Sequence, residues 1–442
     1  MKKTLLTSAL ILASTISIAY AMCEKANIAK PVYSTNSLEV YFLEPFDKNQ
    51  KTEAVKRLNQ LIKESQNRIH FAVYGISNQQ VKKNLISKYK NGCDVKWVTD
   101  INKFGVNNYS GTEELQAKLP TYKLDDANAK LELDTKQEAD FKIKDKVVKT
   151  QFDDTDIKYF TDQLMHNKFF VFDNDIVSTG SVNISHSGIG GGKYINANDF
   201  LVIKSQKINE IYAKEFAQMY DGKFHKEKQA IQNKKNIVLE DGSRVSVYFA
   251  PIDNYFLNDV IAKINESKEY VYMPIFYLTD KRITQALIDA KERGVDVKVL
   301  LDASSAASKY TKHKILRLAG VPVKVENWAG KMHMKCLVTE KYVITGSLNW
   351  TSRAQNYNDE NSLIIENPQL ASVYRNHFIK LYDSIPDIWL TKDPKPEGLD
   401  TPNSCSDGLD NDHDGYTDRD DWDCNPKAKQ GKLYQDYYKK LK

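Results

Sequence analysis

The segment HNKFFVFD, from His166 to Asp173, returns 167 residues later as HMKCLVTE, from His333 to Glu340. Each copy is followed at nearly the same distance by Gly-Ser-x-Asn: Gly180, Ser181 and Asn183, then Gly346, Ser347 and Asn349. A histidine and a lysine at i and i+2 on an apolar, β-branched stretch share one face of a strand. Two such strands brought together place two imidazoles, two ammonium groups and two Ser/Asn pairs around one anion. That constellation suits phosphodiester cleavage. The anion repels hydroxide, so the non-bridging oxygens need donors, and Lys168, Lys335, Ser181, Ser347, Asn183 and Asn349 are the candidates. A neutral imidazole would attack phosphorus, and a protonated one would deliver a proton to the leaving alkoxide and then activate water or an alcohol. With two lysines supplying positive charge, no metal is needed for this chemistry.

The elements that position these residues are themselves repeated. Ile62 to Asp100 aligns without gaps on Ile264 to Asp302, with ten identities in 39 positions. In both copies an apolar segment (Ile69 to Tyr74, Val271 to Phe276) precedes a helix-like stretch, a Gly and a second strand, which is a β-α-β unit. VYF at Val40 and again at Val247 suggests that each half opens with a strand, and FAQMYD from Phe216 and FIKLYD from Phe378 suggest a common closing helix. The chain of 442 residues thus reads as two tandem copies of one α/β fold joined near residues 226–244, a size at which two units are expected. Duplication places equivalent residues around a pseudo-two-fold axis. One difference stands out: Asp100 to His166 is 66 residues, whereas Asp302 to His333 is 31. The excess is expected as a charged excursion over about residues 107–150, beside the mouth of the site.

Apolar residues at 41% and aromatics at 11% support packed cores and exclude a disordered chain. Residues 1–21 read as an export signal, with Lys2 and Lys3, an apolar run from Leu5 to Ile18, and Ala19-Tyr20-Ala21 as a small-x-small cleavage pattern. Cleavage would take the formal charge from +5 to +3, too mild to announce a nucleic-acid binder. No second stretch suits a membrane span, so the expectation is a soluble periplasmic or secreted protein. Boundaries follow: a first domain over 22–235, a second over 236–390, a Pro/Lys/Asp-rich linker over 391–403 and an acidic tail over 404–442. In that tail Asp410, Asp412, Asp414, Tyr416, Asp418 and Asp421 match a calcium loop of DxDxDG type, inside a cysteine pair, Cys405 and Cys424, able to form a disulfide. Calcium there would be structural, not catalytic. The Lys/Tyr-rich end could touch anionic lipid or nucleic acid.

The pair of motifs resembles the phospholipase D superfamily, whose signature is His-x-Lys-(x)4-Asp followed by Gly-Ser-x-Asn. The first copy matches fully, and the second has Glu340 where the family has Asp. The resemblance implies two phospholipase D-like α/β sandwich domains, a phosphohistidine intermediate, His166 as nucleophile and His333 as general acid/base, with pseudo-symmetry leaving the reverse open. It assigns the catalytic set to His166, Lys168, Asp173, His333, Lys335, Glu340 and Glu360, with Asp173 and Glu340 expected as structural partners at strand ends. A downstream carboxylate usually orients each histidine in the family. Aligning NDENSLII from Asn358 with NANDFLVI from Asn196 puts Glu360 opposite Asn198, so the first half has an amide there, with Asp199 beside it.

Three functions fit the sequence, two catalytic and one not. Favoured is hydrolysis of glycerophospholipids to phosphatidic acid and free head group, with transient membrane-surface contact; two motifs in one chain let a monomer build the site. A metal-independent exported endonuclease uses the same groups on a nucleic acid and should show a salt-sensitive basic groove. A non-catalytic, calcium-dependent envelope protein would bind without turnover.

Overall fold

The structure is a computed structural model, and it describes residues 29–45, 51–101, 107, 109–125, 139–143, 146–150, 163–406, 418–421 and 423–425. The proposed export signal lies outside the described residues, as do Asp410, Asp412, Asp414 and Tyr416 of the calcium-loop pattern.

In chain order the first half contains β1 (Tyr33–Ser34), β2 (Leu38–Leu43), β3 (Arg68–Val73), β4 (Asp94–Asp100) and β5 (Tyr122–Asp125). A hairpin of β6 (Ala139–Ile143) and β7 (Lys146–Thr150) follows, then β8 (Lys168–Phe172), β9 (Ile176–Gly180) and β10 (Asn198–Lys204). The second half contains β11 (Ile237–Val238), β12 (Arg244–Ala250), β13 (Tyr270–Ile275), β14 (Asp296–Leu301), β15 (Val323–Val325), β16 (Leu337–Thr339), β17 (Tyr342–Gly346) and β18 (Glu360–Glu366). Each half forms one eight-stranded sheet, in the orders β1-β2-β10-β9-β8-β3-β4-β5 and β11-β12-β18-β17-β16-β13-β14-β15. The two orders are the same order written twice. β3, β4 and β5 run parallel, as the β-α-β reading requires, and β8 joins β3 antiparallel.

Local signals fix the helices that cover the sheets. Asn78 caps the helix Gln79–Lys90, Asp280 caps Lys281–Glu292, and Asn367 caps Pro368–Asp383 with proline in its first turn. Strand alternation divides the apolar side chains of β8 between two cores. Phe169 and Val171 enter a central core, while Phe170 and Phe172 enter the outer core of the first half. The central core joins the two sheets through Ile211, Tyr212 and Phe216 of the helix Gln206–Tyr220 and Tyr374, Phe378 and Leu381 of the helix Pro368–Asp383. The two repeats therefore share a buried interface and hold the two motif strands in fixed relation.

The excursion lies later than its charge pattern indicates. The helix Ser110–Lys118 and strand β5 belong to the repeated fold, because β5 pairs with β4 as β15 pairs with β14. The extra residues fall between Asp125 and Met165. Lys and Asp in YKLD hid a sheet-edge strand, where one flank is solvated and charge is tolerated. The stretch following the second half is not a free tether: Arg317 and His313 bind Asp393 at 2.6 and 3.0 Å, and Asn327 donates to the Asp400 carbonyl at 3.3 Å. Cys405 and Cys424 form a disulfide, with Cα atoms 5.3 Å apart.

Candidate active site

The two motif strands meet at the junction of the halves, where two short parallel bridges interlock them: Met165 with Asp359, and Ala197 with Met332. His166 N–H donates to the Asp359 carbonyl at 2.8 Å, and His333 N–H donates to the Ala197 carbonyl at 2.9 Å. Each histidine is thus anchored by backbone of the opposite half. The side chains repeat the exchange. Nδ1 of His166 lies 2.9 Å from both carboxylate oxygens of Glu360, and Nδ1 of His333 lies 3.0 Å from Oδ1 of Asn198. With Nδ1 engaged, Nε2 of each ring is the nitrogen left for chemistry.

Lys168 and Lys335 follow on the same strand face, and each ammonium donates to the carbonyl of the histidine two residues earlier, at 2.9 and 2.6 Å. An ammonium has three donors, so both retain hydrogens for a ligand. Burial pushes the Lys168 pKa down to about 7 against the pull of Glu360 and Asp100. Burial, reinforced by Lys168, holds Lys335 well below the usual lysine range. Burial likewise lowers His166, opposed by Glu360. His333 is held well below the ordinary imidazole value by burial and by Lys335, Lys168 and His166. The physical content is that four cationic or cationisable groups crowd one desolvated space, and a bound anion relieves their repulsion.

Gly180 and Gly346 adopt φ of 136° and 151°, and a Cβ on either would lie 2.3 Å from a carbonyl oxygen, that of Asp199 or of Asn361. Beside this close approach the hydroxyls of the following serines turn inward onto protein partners. Ser181 Oγ donates to Asn198 Oδ1 at 2.9 Å and accepts from the Asp199 N–H at 3.0 Å; Ser347 Oγ donates to Glu360 at 2.5 Å and accepts from the Asn361 N–H at 2.9 Å. The serines hold the groups that orient the histidines. Asn183 donates to the Tyr109 hydroxyl at 3.1 Å, and the side-chain oxygens of Asn183 and Asn349 are buried without a protein partner, so these amides remain candidates for ligand contact.

Asp173 and Glu340 stand at the far ends of their strands. Asp173 accepts from the backbone N–H groups of Gln66, Asn67 and Arg68, and Glu340 accepts from Lys268 N–H at 3.0 Å and Ser267 Oγ at 2.8 Å. They tie β8 and the turn after β16 to the turns before β3 and β13 and do not reach the histidines. In the acidic tail, Asp421 is buried and its Oδ1 accepts from the Asp423 and Cys424 N–H groups, while the Asp418 N–H donates to Glu397.

Sequence reasoning gave no role to several residues here. Asn361 accepts from Lys168 N–H at 3.0 Å and donates to Thr179 at 2.6 Å, and Asp199, its counterpart, accepts from Thr345 at 2.5 Å and Tyr374 at 2.9 Å. Tyr74 packs edge-on against His166 with ring centroids 5.3 Å apart, and Phe276 lies 4.9 Å from His333. The last pair was detectable, because Tyr74 and Phe276 occupy the same position in the repeat.

Fold and site together define a duplicated α/β protein with one phosphodiester-type site built across its pseudo-two-fold axis. The family described as cardiolipin synthase, PLD-like domain, matches residues 58–220 and 260–382, and the chain belongs to the phospholipase D superfamily. It is 37% identical over 147 residues to a phospholipase D of Rickettsia bellii, spanning 33% of this chain and 72% of that one. It is 29% identical over 128 residues to the mouse mitochondrial cardiolipin hydrolase, spanning 29% of this chain and 58% of the relative. The crystal structure of phosphatidylserine synthase from Haemophilus influenzae superimposes with a TM-score of 0.54 at 14% identity, covering 82% of this chain and 92% of the other, which supports the duplicated fold alone.

Proposed function

We propose that this phosphodiesterase hydrolyses glycerophospholipids to phosphatidic acid and free head group. The observation that carries the reading is the exchanged pairing of His166 with Glu360 and His333 with Asn198, which gives one chain two differently tuned imidazoles beside two buried lysines. The names of the Rickettsia and mouse relatives favour lipid over nucleic acid as substrate.

Glu360 accepts from His166 Nδ1–H and so leaves a lone pair on Nε2, the attacking atom. Nε2 bonds to phosphorus as the bond from phosphorus to the head-group oxygen breaks, and Nε2–H of His333 gives its proton to that oxygen. Phosphorylated His166 carries a positive charge, which Glu360 balances; the neutral amide of Asn198 leaves His333 free to lose and regain its proton. His333 then takes a proton from water, the resulting hydroxide attacks phosphorus, and the bond to His166 breaks to release phosphatidic acid. Lys168 and Lys335 hold the non-bridging oxygens throughout. On this reading catalysis uses no metal ion, calcium belongs to the acidic tail, and the protein works as an exported monomer at a membrane surface. Among the described residues no helix is long and apolar enough to cross a membrane.

The test is turnover by purified mature protein, with His166→Ala as the blank, on phosphatidylcholine/phosphatidylethanolamine vesicles and on single- and double-stranded DNA, all in EDTA. Choline or ethanolamine release absent from the variant supports the proposal. DNA cleavage without lipid turnover replaces it with an exported nuclease. Turnover of neither substrate, with calcium restored, leaves the binding-protein reading.

A further inference from the structure

Behind the His166 half of the site lies a buried charge cluster that no motif covers. His225 is in the segment joining the two repeats, at a φ of 51°, and its ring sits between two carboxylates. Nε2 is 2.8 Å from Asp125 at the end of β5, and Nδ1 is 3.3 Å from Asp359 just before β18. The backbone N–H of His225 also donates to the Asp359 carboxylate, at 3.0 and 3.1 Å. The Lys228 ammonium lies 2.6 Å from the same carboxylate, contacts Glu215 of the helix Gln206–Tyr220, and donates to the Ala250 carbonyl at 3.1 Å. Every one of these groups is buried.

Asp359 is the residue whose backbone holds His166. Its carbonyl accepts from His166 N–H, its N–H donates to the Leu164 carbonyl, and the next residue is Glu360. On the other side of the pseudo-two-fold the same bridge position is Ala197, which has no charge to clamp. The asymmetry therefore falls on the half that carries the histidine–carboxylate pair. A buried ion cluster of this kind is a costly arrangement, best attested where it fixes one geometry.

We propose that His225 is a positioning residue for the reaction: by clamping Asp359 from one side while Lys228 clamps it from the other, it fixes the backbone on which both His166 and Glu360 are set. Burial alone would lower the His225 pKa, but Asp125 and Asp359 outweigh it and hold the imidazole above its ordinary value, which favours a cation between two anions. Both ring nitrogens face a carboxylate oxygen at ion-pair distance, Nε2 at 2.8 Å and Nδ1 at 3.3 Å. Asp125, His225 and Asp359 also have the donor atoms and spacing of a small metal site. The Lys228 ammonium already supplies positive charge to Asp359 at 2.6 Å, which favours the clamp.

The effect on rate rests on the proposed role of His166, so the test includes a measurement that needs no turnover. His225→Asn in the full chain removes the ring while asparagine tolerates positive φ. The expected result is a fall in kcat on phosphatidylcholine vesicles of about 10- to 100-fold at unchanged KM, as for other outer partners of catalytic groups. In proton NMR the downfield Nδ1–H resonance of His166, identified by its loss in His166→Ala, should shift or broaden while that of His333 stays. If wild-type protein turns over no phosphodiester, the proposed function fails and the resonance alone decides the role of His225. An unchanged His166 resonance overturns the inference, and so does equal disturbance of both resonances, which marks a general structural role. Stoichiometric zinc or manganese in the wild-type protein, lost in His225→Asn, would make the cluster a metal site instead. Should that variant not fold, Asp125→Asn, which weakens only the far side of the clamp, carries the same readings.

Discussion

Glu360 begins a strand of the second sheet, yet both of its carboxylate oxygens lie 2.9 Å from Nδ1 of His166, which leads into a strand of the first. Neither repeat contains a complete site, because the group that fixes the tautomer of each histidine comes from the other repeat. Glu360→Gln keeps the shape and removes the charge that, in the proposed mechanism, balances phosphorylated His166. We expect kcat to fall about 10- to 100-fold or more with little change in KM. A steady-state comparison with wild type checks this, and an unchanged kcat would mean that the carboxylate only packs.

Asn198 offers His333 an oxygen but no charge. Asn198→Asp adds a carboxylate beside an imidazole whose pKa is held well below normal by burial and by neighbouring cations. The added charge raises that pKa. Because in the proposed mechanism His333 must be protonated to assist departure of the head group, the alkaline limb of kcat/KM should move to higher pH. A pH–rate profile in which that limb stays in place would remove His333 from the acid role.

Lys168 is buried and its pKa falls from 10.5 to about 7. The folded state therefore binds fewer protons than the unfolded state between those values, and stability rises with pH across the window. At pH 7 and below the fold bears the full cost of the buried charge. Lys168→Met should abolish turnover yet raise Tm, by most near neutral pH and by progressively less toward pH 10.5. Inorganic phosphate should raise the Tm of wild type and not of the variant. Calorimetry across the pH range tests both, and a variant less stable than wild type at pH 7 refutes the argument.

The strands carrying the motifs and the β-α-β repeat were legible because alternation and a constant offset both survive in the sequence. Alignment also set Glu360 opposite Asn198. What it could not show was the exchange, since a repeat says which residues correspond and not which half each one reaches. The inward turn of Ser181 and Ser347 was hidden for another reason: it follows from the close approach of Gly180 and Gly346 to a neighbouring strand, a tertiary fact. β5 was masked by its charges, and His225 by having no motif around it.

That close approach makes its own prediction. Gly180→Ala or Gly346→Ala would drive a Cβ to 2.3 Å from a backbone oxygen, at a φ that only glycine adopts easily. The strand pair must separate, and the adjacent serine moves with it. We expect a loss of about 1–3 kcal/mol of stability together with loss of turnover, because the serine supports Asn198 or Glu360. Denaturant unfolding measures the first. A variant with wild-type stability would show that the strands are free to shift.

The Cys405–Cys424 disulfide closes a segment with a separation of 19 residues around the acidic pattern. In the chain-entropy picture a loop of that length stabilises the segment it closes by about 3 kcal/mol. The rest of the chain has its own cores, so Cys405→Ser should leave the unfolding midpoint of the two repeats nearly unchanged and speed proteolysis within the tail. If the aspartates bind calcium, added calcium should slow that proteolysis in wild type, and Asp414→Asn should diminish the protection. Limited proteolysis read by mass spectrometry, with and without calcium, separates the two effects. Cleavage that is equally slow in the Cys405→Ser protein would show that packing of Asp393 and Asp400 on the second repeat already holds the tail.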